Sequence, residues 1–349
     1  MNAATLPFTV SRATTASRIG ALAGVSLVAV LASFPFWADT GWMREVNEMA
    51  CYLIFAMMWN LLAGYGGMVS IGQQAFLGLG GYALLVMGNF LGVNPFLAVP
   101  VAAGLTALVA LPVSRIAFRL QGGYFAIGTW VIAEVFRLSV ANVSAVGGGS
   151  GTSLTALRGI DKATRQSVTF WLCLSGAVAA VALVYWFLRS RQGLALFAIR
   201  DSEVAAESQG VHVQRTKLWV YVVAAFGAGL AGALYFLGNL RISPDAAFAV
   251  NWTAFSIFIV MIGGIGTIEG PIVGVVLFYL LNKFFSDYGT WYLVGLGMLA
   301  IVVTIKLPRG LWGTLSHRYD IHLFPVQRRL VLTHDATSRP SQRAMTDHG

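Results

Sequence analysis

Residues 216–238 read TKLWVYVVAAFGAGLAGALYFLG, and the character of this run decides the fold class. Lys217 is its only charged residue. A helix needs roughly 20 predominantly apolar residues to cross the hydrocarbon core of a bilayer. Two rows of small residues run along it at four-residue spacing, Ala224–Ala228–Gly232 and Ala225–Gly229–Ala233. Lipid offers no hydrophobic drive between helices, so association depends on close packing, and small residues let two backbones approach. The run predicts a membrane helix with a smooth face for its neighbours.

Similar runs recur at 19–37, 49–64, 68–91, 95–115, 122–140, 169–188, 251–267, 270–286 and 290–306. The chain is 57% apolar and only 11% charged, whereas soluble domains carry about 25% charged residues to solvate their surface. The expectation is an all-α integral membrane protein, a polytopic bundle of about ten transmembrane helices embedded in the lipid bilayer. The runs 68–91 and 251–286 carry many glycines, and broken or re-entrant helices are expected there where protein buries the backbone. The first run exceeds the ~7–15-residue core of a signal peptide and reads as an uncleaved span. Cys51 and Cys173 lie in apolar runs without metal-ligand spacing and read as small core hydrophobes.

Lysine and arginine set the orientation. With the N-terminus inside, the inner segments hold Arg115, Arg119, Arg189, Arg191, Arg200, Arg215 and Lys306 among others, while the outer ones hold Arg44, Arg158, Lys162, Arg165 and Arg241 more thinly. Both termini are expected in the cytoplasm of a bacterial cell, with the chain in its inner membrane. Cytoplasmic cations also absorb the net charge of +9, so no nucleic-acid partner is implied. Trp37, Trp42, Trp171, Trp186, Trp219, Trp252 and Trp291 fall near predicted span ends, as an interfacial belt. The chain divides into a cytoplasmic segment 1–18, a membrane domain 19–306 and a basic, disordered cytoplasmic tail 307–349.

Two glycine-rich stretches also carry polar groups. GYGGMVSIGQQAF (64–76) holds Ser70, Gln73 and Gln74, and MIGGIGTIEGPIVG (261–274) holds Thr267 and Glu269. Glycine-interrupted hydrophobic segments in both halves of a chain point to a pathway or gate; the alternative is a cytoplasmic turn between short helices. Glu134, with Arg137 three residues on, sits well inside the fifth run. An ionised carboxylate at the bilayer centre costs at least about 2.5–3.5 kcal/mol on insertion scales. It is either an ion pair that fixes helix rotation or a wall of the pathway or a proton site. Tyr124, at the start of the same run, joins the pathway candidates. VGGGSGTS (146–153) lacks the lysine of a phosphate loop and reads as a flexible external loop. No cofactor is expected, no metal site, and no catalytic residues.

The longest inner loop, 189–217, contains IRDSEVAAESQG (199–210). Asp201 fits the N-cap of a two-turn helix, Glu203 suits its first turn, and Gly210 supplies a left-handed stop. A helix this short is unstable alone in water, so a partner is implied.

An alanine pair followed four residues later by glycine, in a loop between late spans, resembles the ATPase-coupling loop of ABC-importer permeases. MMWNLLAGYGGMVSIGQQAFLGLGGY, LQGGYFAIGTWVIAEVFR, GLALFAIRDSEVAAESQGVHVQRTKLWVYVVAAFGAGLAGALY, SPDAAFAVNWTAFSIFIVMIGGIGTIEGPIVG and KLPRGLWG together resemble the LivM-type branched-chain amino-acid permease family over residues 48–313. Val204 stands where the strict pattern has glutamate, with Glu203 one residue earlier. The resemblance implies a transport subunit without its own ATPase site. A second homologous permease, two cytoplasmic ATP-binding subunits and an extracytoplasmic substrate-binding protein would complete the importer. It assigns docking to Ala205, Ala206 and Gly210, with Arg200, Asp201 and Glu203 beside them, and apolar amino acids as the substrate class. The rival from another class is a proton-coupled secondary transporter using Glu134.

Overall fold

The computed structural model describes residues 8–11, 15–319, 323–324 and 329–332. Strand β1 (Phe8–Ser11) precedes helices α1 (Thr15–Ala32) and α2 (Thr40–Asn60). The latter continues through a π-helical turn, Leu61–Tyr65, into irregular chain at 66–73 before α3 (Gln74–Asn89). Next come α4 (Pro95–Ala117), α5 (Gly123–Ala141), β2 (Thr152–Ser153) and α6 (Lys162–Arg189). Two short helices, α7 (Arg191–Asp201) and α8 (Glu203–Ser208), lead into the long α9 (Val213–Asn239). The remainder is β3 (Arg241–Ile242), α10 (Pro244–Ala247), α11 (Asn251–Gly263), α12 (Glu269–Phe285), α13 (Thr290–Lys306), α14 (Gly310–Tyr319) and β4 (Arg329–Leu332).

Local chemistry sets several of these boundaries. Asn94 accepts the Phe96 N–H to start α4 with Pro95 in the first turn, and Asp161 accepts the Ala163 and Thr164 N–H groups to start α6. Each side chain satisfies donors that a helix start leaves without partners.

Each of the ten apolar runs holds a helix, and among the described residues eight helical segments are long and apolar enough to cross a membrane. The helices α3 and α12, with 16 and 17 residues, fall short of that length. The break before α3 is the expected interrupted helix. The break at 264–268 is a tight turn between the packed helices α11 and α12.

Helices α2 and α9 form the centre of the bundle. The first packs on α6, α9, α11 and α12, the second also on α3 and α4, while α1 lies at the margin with its apolar face outward. The small-residue rows of α9 do what their spacing predicts. A β-carbon at Gly80 would strike the Gly229 carbonyl, and one at Gly232 would strike the Leu77 carbonyl, so α3 and α9 cross backbone to backbone. Trp252 departs from the expected belt: it is buried at the centre, its ring 4.6 Å from that of Tyr235 and 5.1 Å from that of Tyr52.

Two loop expectations change. The 146–153 stretch is built rather than loose, since β2 pairs antiparallel with β3 through Thr152–Ile242 and Ser153–Arg241. The segment after 307 opens with the ordered helix α14, and further along Leu323 and Phe324 pack back on the bundle. Phe324 lies edge-on to Tyr185, with centroids 5.7 Å apart. Strand β4 pairs antiparallel with β1, which brings residues near the two ends of the chain together. The remainder of the expected disordered tail, beyond 332, lies outside the described residues.

Candidate coupling helix and translocation face

The charged stretch that interrupts the apolar sequence is two helices, not one. Asp201 ends α7, and the N-cap of α8 is Ser202, whose Oγ accepts the Ala205 N–H at 3.3 Å. The cap moves by one residue because Ser202 adopts extended backbone (φ −162°, ψ 118°) while Asp201 is still helical. Gly210 is the left-handed stop, at φ +81°. The Val211 N–H donates to the Ala206 carbonyl and the Gly210 N–H to the Glu207 carbonyl, the paired bonds of a Schellman end.

Burial divides the expected docking residues. Ala206 is 1% exposed and packs with Ile199 and Val213 in a small cluster under the helix. It anchors the helix within the chain and, unlike Ala205, has almost no exposed surface. Glu203 is bonded to Lys217 of α9, with Oε1 2.5 Å from Nζ, and so ties α8 to the span that follows. Ala205, Glu207, Ser208 and Gly210 face outward, and Val204 is 77% exposed. Sequence reasoning noted Val204 only as a departure from a pattern; its apolar side chain is the most prominent feature of the exposed face.

Arg200, exposed at the end of α7, faces inward to two glycine turns. A β-carbon on Gly266 would lie 3.2 Å from its Nη1, and one on Gly67 would lie 3.8 Å from its Cγ. One turn earlier on α7, Phe197 meets Tyr65 of the π-helical turn edge to face at 5.7 Å. Asn60, fully buried, completes the junction: its Oδ1 accepts the Gly266 N–H at 2.9 Å and its Nδ2 donates to the Thr267 carbonyl at 2.8 Å. A lone asparagine in the run MMWNLLAGYGG was the available signal for it.

The polar residues of the two glycine-rich stretches are buried. Irregular backbone within a bilayer must have its polar groups bonded inside the protein, and several groups of residues 66–73 are bonded in this way. The Ser70 carbonyl accepts Trp59 Nε1–H at 2.8 Å, the Ser70 hydroxyl accepts the Gly72 N–H, and Thr129 of α5 accepts the Ile71 N–H. Gln74 accepts the Thr253 hydroxyl at 2.5 Å, and Gln73 donates to the Ala224 carbonyl at 3.5 Å. Thr267 closes its own turn, donating to Gly264 and accepting from Gly270. Glu269 accepts the backbone N–H groups of Leu323 and Phe324 at 3.1 and 2.9 Å. These contacts tie Ser70, Gln73, Gln74, Thr267 and Glu269 to neighbouring groups within the chain, while Gln73 Oε1 has no partner among the described residues.

Helix α5 is the contrary case. Only 17% of its span is buried, with Tyr124 at 78% exposure. On it Arg137 binds both oxygens of Glu134, Nε to Oε2 at 2.9 Å, and its Nη1 reaches Asp245 of α10 at 2.5 Å. The cluster thus lies toward the α10 end of α5 rather than at its middle. With both its oxygens held by one guanidinium, Glu134 has the geometry of a fixed ion pair rather than of a free proton carrier. Among the described residues, no group of histidine, cysteine or acidic side chains could hold a metal ion.

Known sequences are similar to this chain over most of its length. The family model described as the branched-chain amino acid transport system / permease component matches residues 44–305. The high-affinity branched-chain amino acid transport system permease protein LivM of Escherichia coli (strain K12) is 25% identical over 313 residues, covering 82% of this chain and 73% of the relative. A probable branched-chain amino acid transport permease protein LivM of Methanocaldococcus jannaschii is 24% identical, covering 74% of this chain and 90% of the relative. The fructose import permease protein FruG of Bifidobacterium longum is 29% identical over a shorter stretch, 37% of this chain and 40% of its own. No solved structure matches. With more than half of its length inside the family model and its apolar runs folded as membrane helices, this chain belongs to the family of branched-chain amino acid ABC transport permease components.

Proposed function

We propose that this chain is one of two homologous permease subunits of an ATP-driven importer and forms part of the pathway for a branched-chain or other apolar amino acid. Two cytoplasmic ATP-binding subunits supply the motion, and an extracytoplasmic binding protein delivers the substrate. The chain resides in the bacterial inner membrane with the α8 end and both termini in the cytoplasm; the pairing of β1 with β4 supports the common side.

One observation carries the reading: α8 is a six-residue helix, capped at both ends and anchored by Ala206 and Glu203, that presents Val204 outward. Isolated helices below about 12–15 residues are marginal in water, so α8 exists because α7 and α9 hold it. A load on its outer face is transmitted to them, and through Arg200, Phe197 and Asn60 to the turns at 66–67 and 264–267. Val204, Ala205 and Gly210 form the docking face, with Asp201 at its edge. The pathway follows the exposed face of α5, with Tyr124 and Glu134 on its wall. Facing lipid, the Glu134–Arg137–Asp245 cluster would carry a cost of several kcal/mol, whereas a second permease or a watered pathway removes most of it.

The test is uptake by the complete transporter in proteoliposomes. Val204→Asp and Ala205→Trp are expected to lower ATP-driven uptake at least roughly tenfold, corresponding to about 1.4 kcal/mol of lost docking energy, while the permease still folds. Wild-type uptake by both variants would refute the docking face.

A further inference from the structure

At the end of the bundle opposite α8, the first turns of α2 and α6 and the last turns of α9 line a cavity of about 310 Å³. Ligand pockets run from about 300 to 1,000 Å³, so this one suits a single small molecule or headgroup. Its polar lining comes from Arg44, Asn47 and Glu48 on α2, Arg165 and Gln166 on α6, and Asn239 on α9. The three α2 residues share one helix face, at spacings of three and four.

Asn239 donates to the Tyr235 carbonyl and Arg44 lies within electrostatic reach of Glu48, but most of this lining is unbonded. Among the described residues, the side chains of Arg44, Asn47, Glu48, Arg165 and Gln166 make no ion pair or hydrogen bond within the protein, and Asn47 Oδ1 is buried with nothing donating to it. Glu45, on another face of the same helix, does find a partner: both its oxygens lie 3.1 Å from Lys283 Nζ. Buried polar atoms are normally bonded, and leaving one unbonded costs about 1–3 kcal/mol. Two guanidiniums repel a simple cation, and Glu48 beside them repels a simple anion. A molecule carrying both charges satisfies all three groups.

We propose that this cavity binds a small zwitterion in which an anionic group stands next to a primary ammonium. Arg44 and Arg165 receive the carboxylate or phosphate through charge-assisted hydrogen bonds, Glu48 receives the ammonium, and Asn47 Oδ1 accepts one of its N–H groups. A free α-amino acid and the headgroup of an ethanolamine phospholipid share this chemistry. The site lies within one subunit, away from the α5 face, and goes beyond the transport role proposed above.

The experiment uses the complete transporter, without binding protein, in nanodiscs. One arm measures saturable binding of tritiated leucine in phosphatidylglycerol discs; the other measures by mass spectrometry which lipid is retained from an equal mixture of phosphatidylethanolamine and phosphatidylglycerol. The expected result is leucine binding in the first arm or selective phosphatidylethanolamine retention in the second, and the positive arm identifies the source. Glu48→Gln and Arg165→Gln each weaken it tenfold or more. Gly41→Phe is the folding-neutral check: Gly41 lines the cavity and a β-carbon there meets no atom within 4 Å, so its ring blocks the space while the complex elutes unchanged. The proposal is overturned if neither zwitterion is held, if binding is indifferent to all three variants, or if phosphatidylglycerol is retained as well as phosphatidylethanolamine. None of these readouts depends on uptake, so they stand apart from the test of α8.

Discussion

Asn60 shows what a single polar side chain does at membrane depth. Buried among apolar residues, it satisfies one donor and one acceptor of the 264–267 turn and thereby fixes that turn against α2. Asn60→Ala leaves both backbone groups unbonded, at about 1–3 kcal/mol each, and is expected to lower the Tm of the purified complex clearly; an unchanged Tm would mean that the turn is held elsewhere. Glycines divide by the same logic of contact. Gly80→Leu is expected to abolish accumulation of the subunit in membranes, because no side chain fits against the Gly229 carbonyl, whereas Gly104→Ala, with nothing within 4 Å of the added carbon, accumulates normally. Equal levels of the two variants on an immunoblot of membrane fractions would contradict the packing described.

For the elements, the informative comparison is between α8 and α5, two helices that present exposed residues. Ala206→Trp is expected to lift α8 from Ile199 and Val213 and to increase limited proteolysis of the 199–213 segment, while Val204→Asp leaves proteolysis unchanged and affects only coupling. Protection in both variants would mean that the cluster under α8 does not hold it. Much of this was legible in the sequence. Four-residue rows of alanine and glycine predicted a smooth, closely packed face on α9, which α3 occupies, and the glycine-rich 64–76 stretch predicted a broken helix, because both depend on local spacing. The inward orientation of Ala206 was not legible, since it depends on Ile199 and Val213 of the neighbouring helices. The same holds for Ser70, Gln73, Gln74, Thr267 and Glu269. Composition shows that polar groups sit among glycines, but only the fold decides whether they meet water or backbone. Ser202 replaced Asp201 as the cap through a one-residue difference in where α7 ends, finer than side-chain preference resolves.

At the scale of the whole molecule, the chain is a bundle centred on α2 and α9, with α5 largely exposed on its side and the short capped helix α8 at one end. Nothing in the sequence resembles a nucleotide loop, and the family describes a component of a larger transport system. The central claim is that this subunit is a passive gate driven from the cytoplasm by a motor on other chains. Its most direct test is uptake of radiolabelled leucine into proteoliposomes, comparing the complete transporter with ATP against this subunit alone under an imposed proton gradient. Accumulation only in the first preparation, lost on omission of ATP or with Val204→Asp, is the predicted result. Accumulation against a gradient by the isolated subunit would contradict the account.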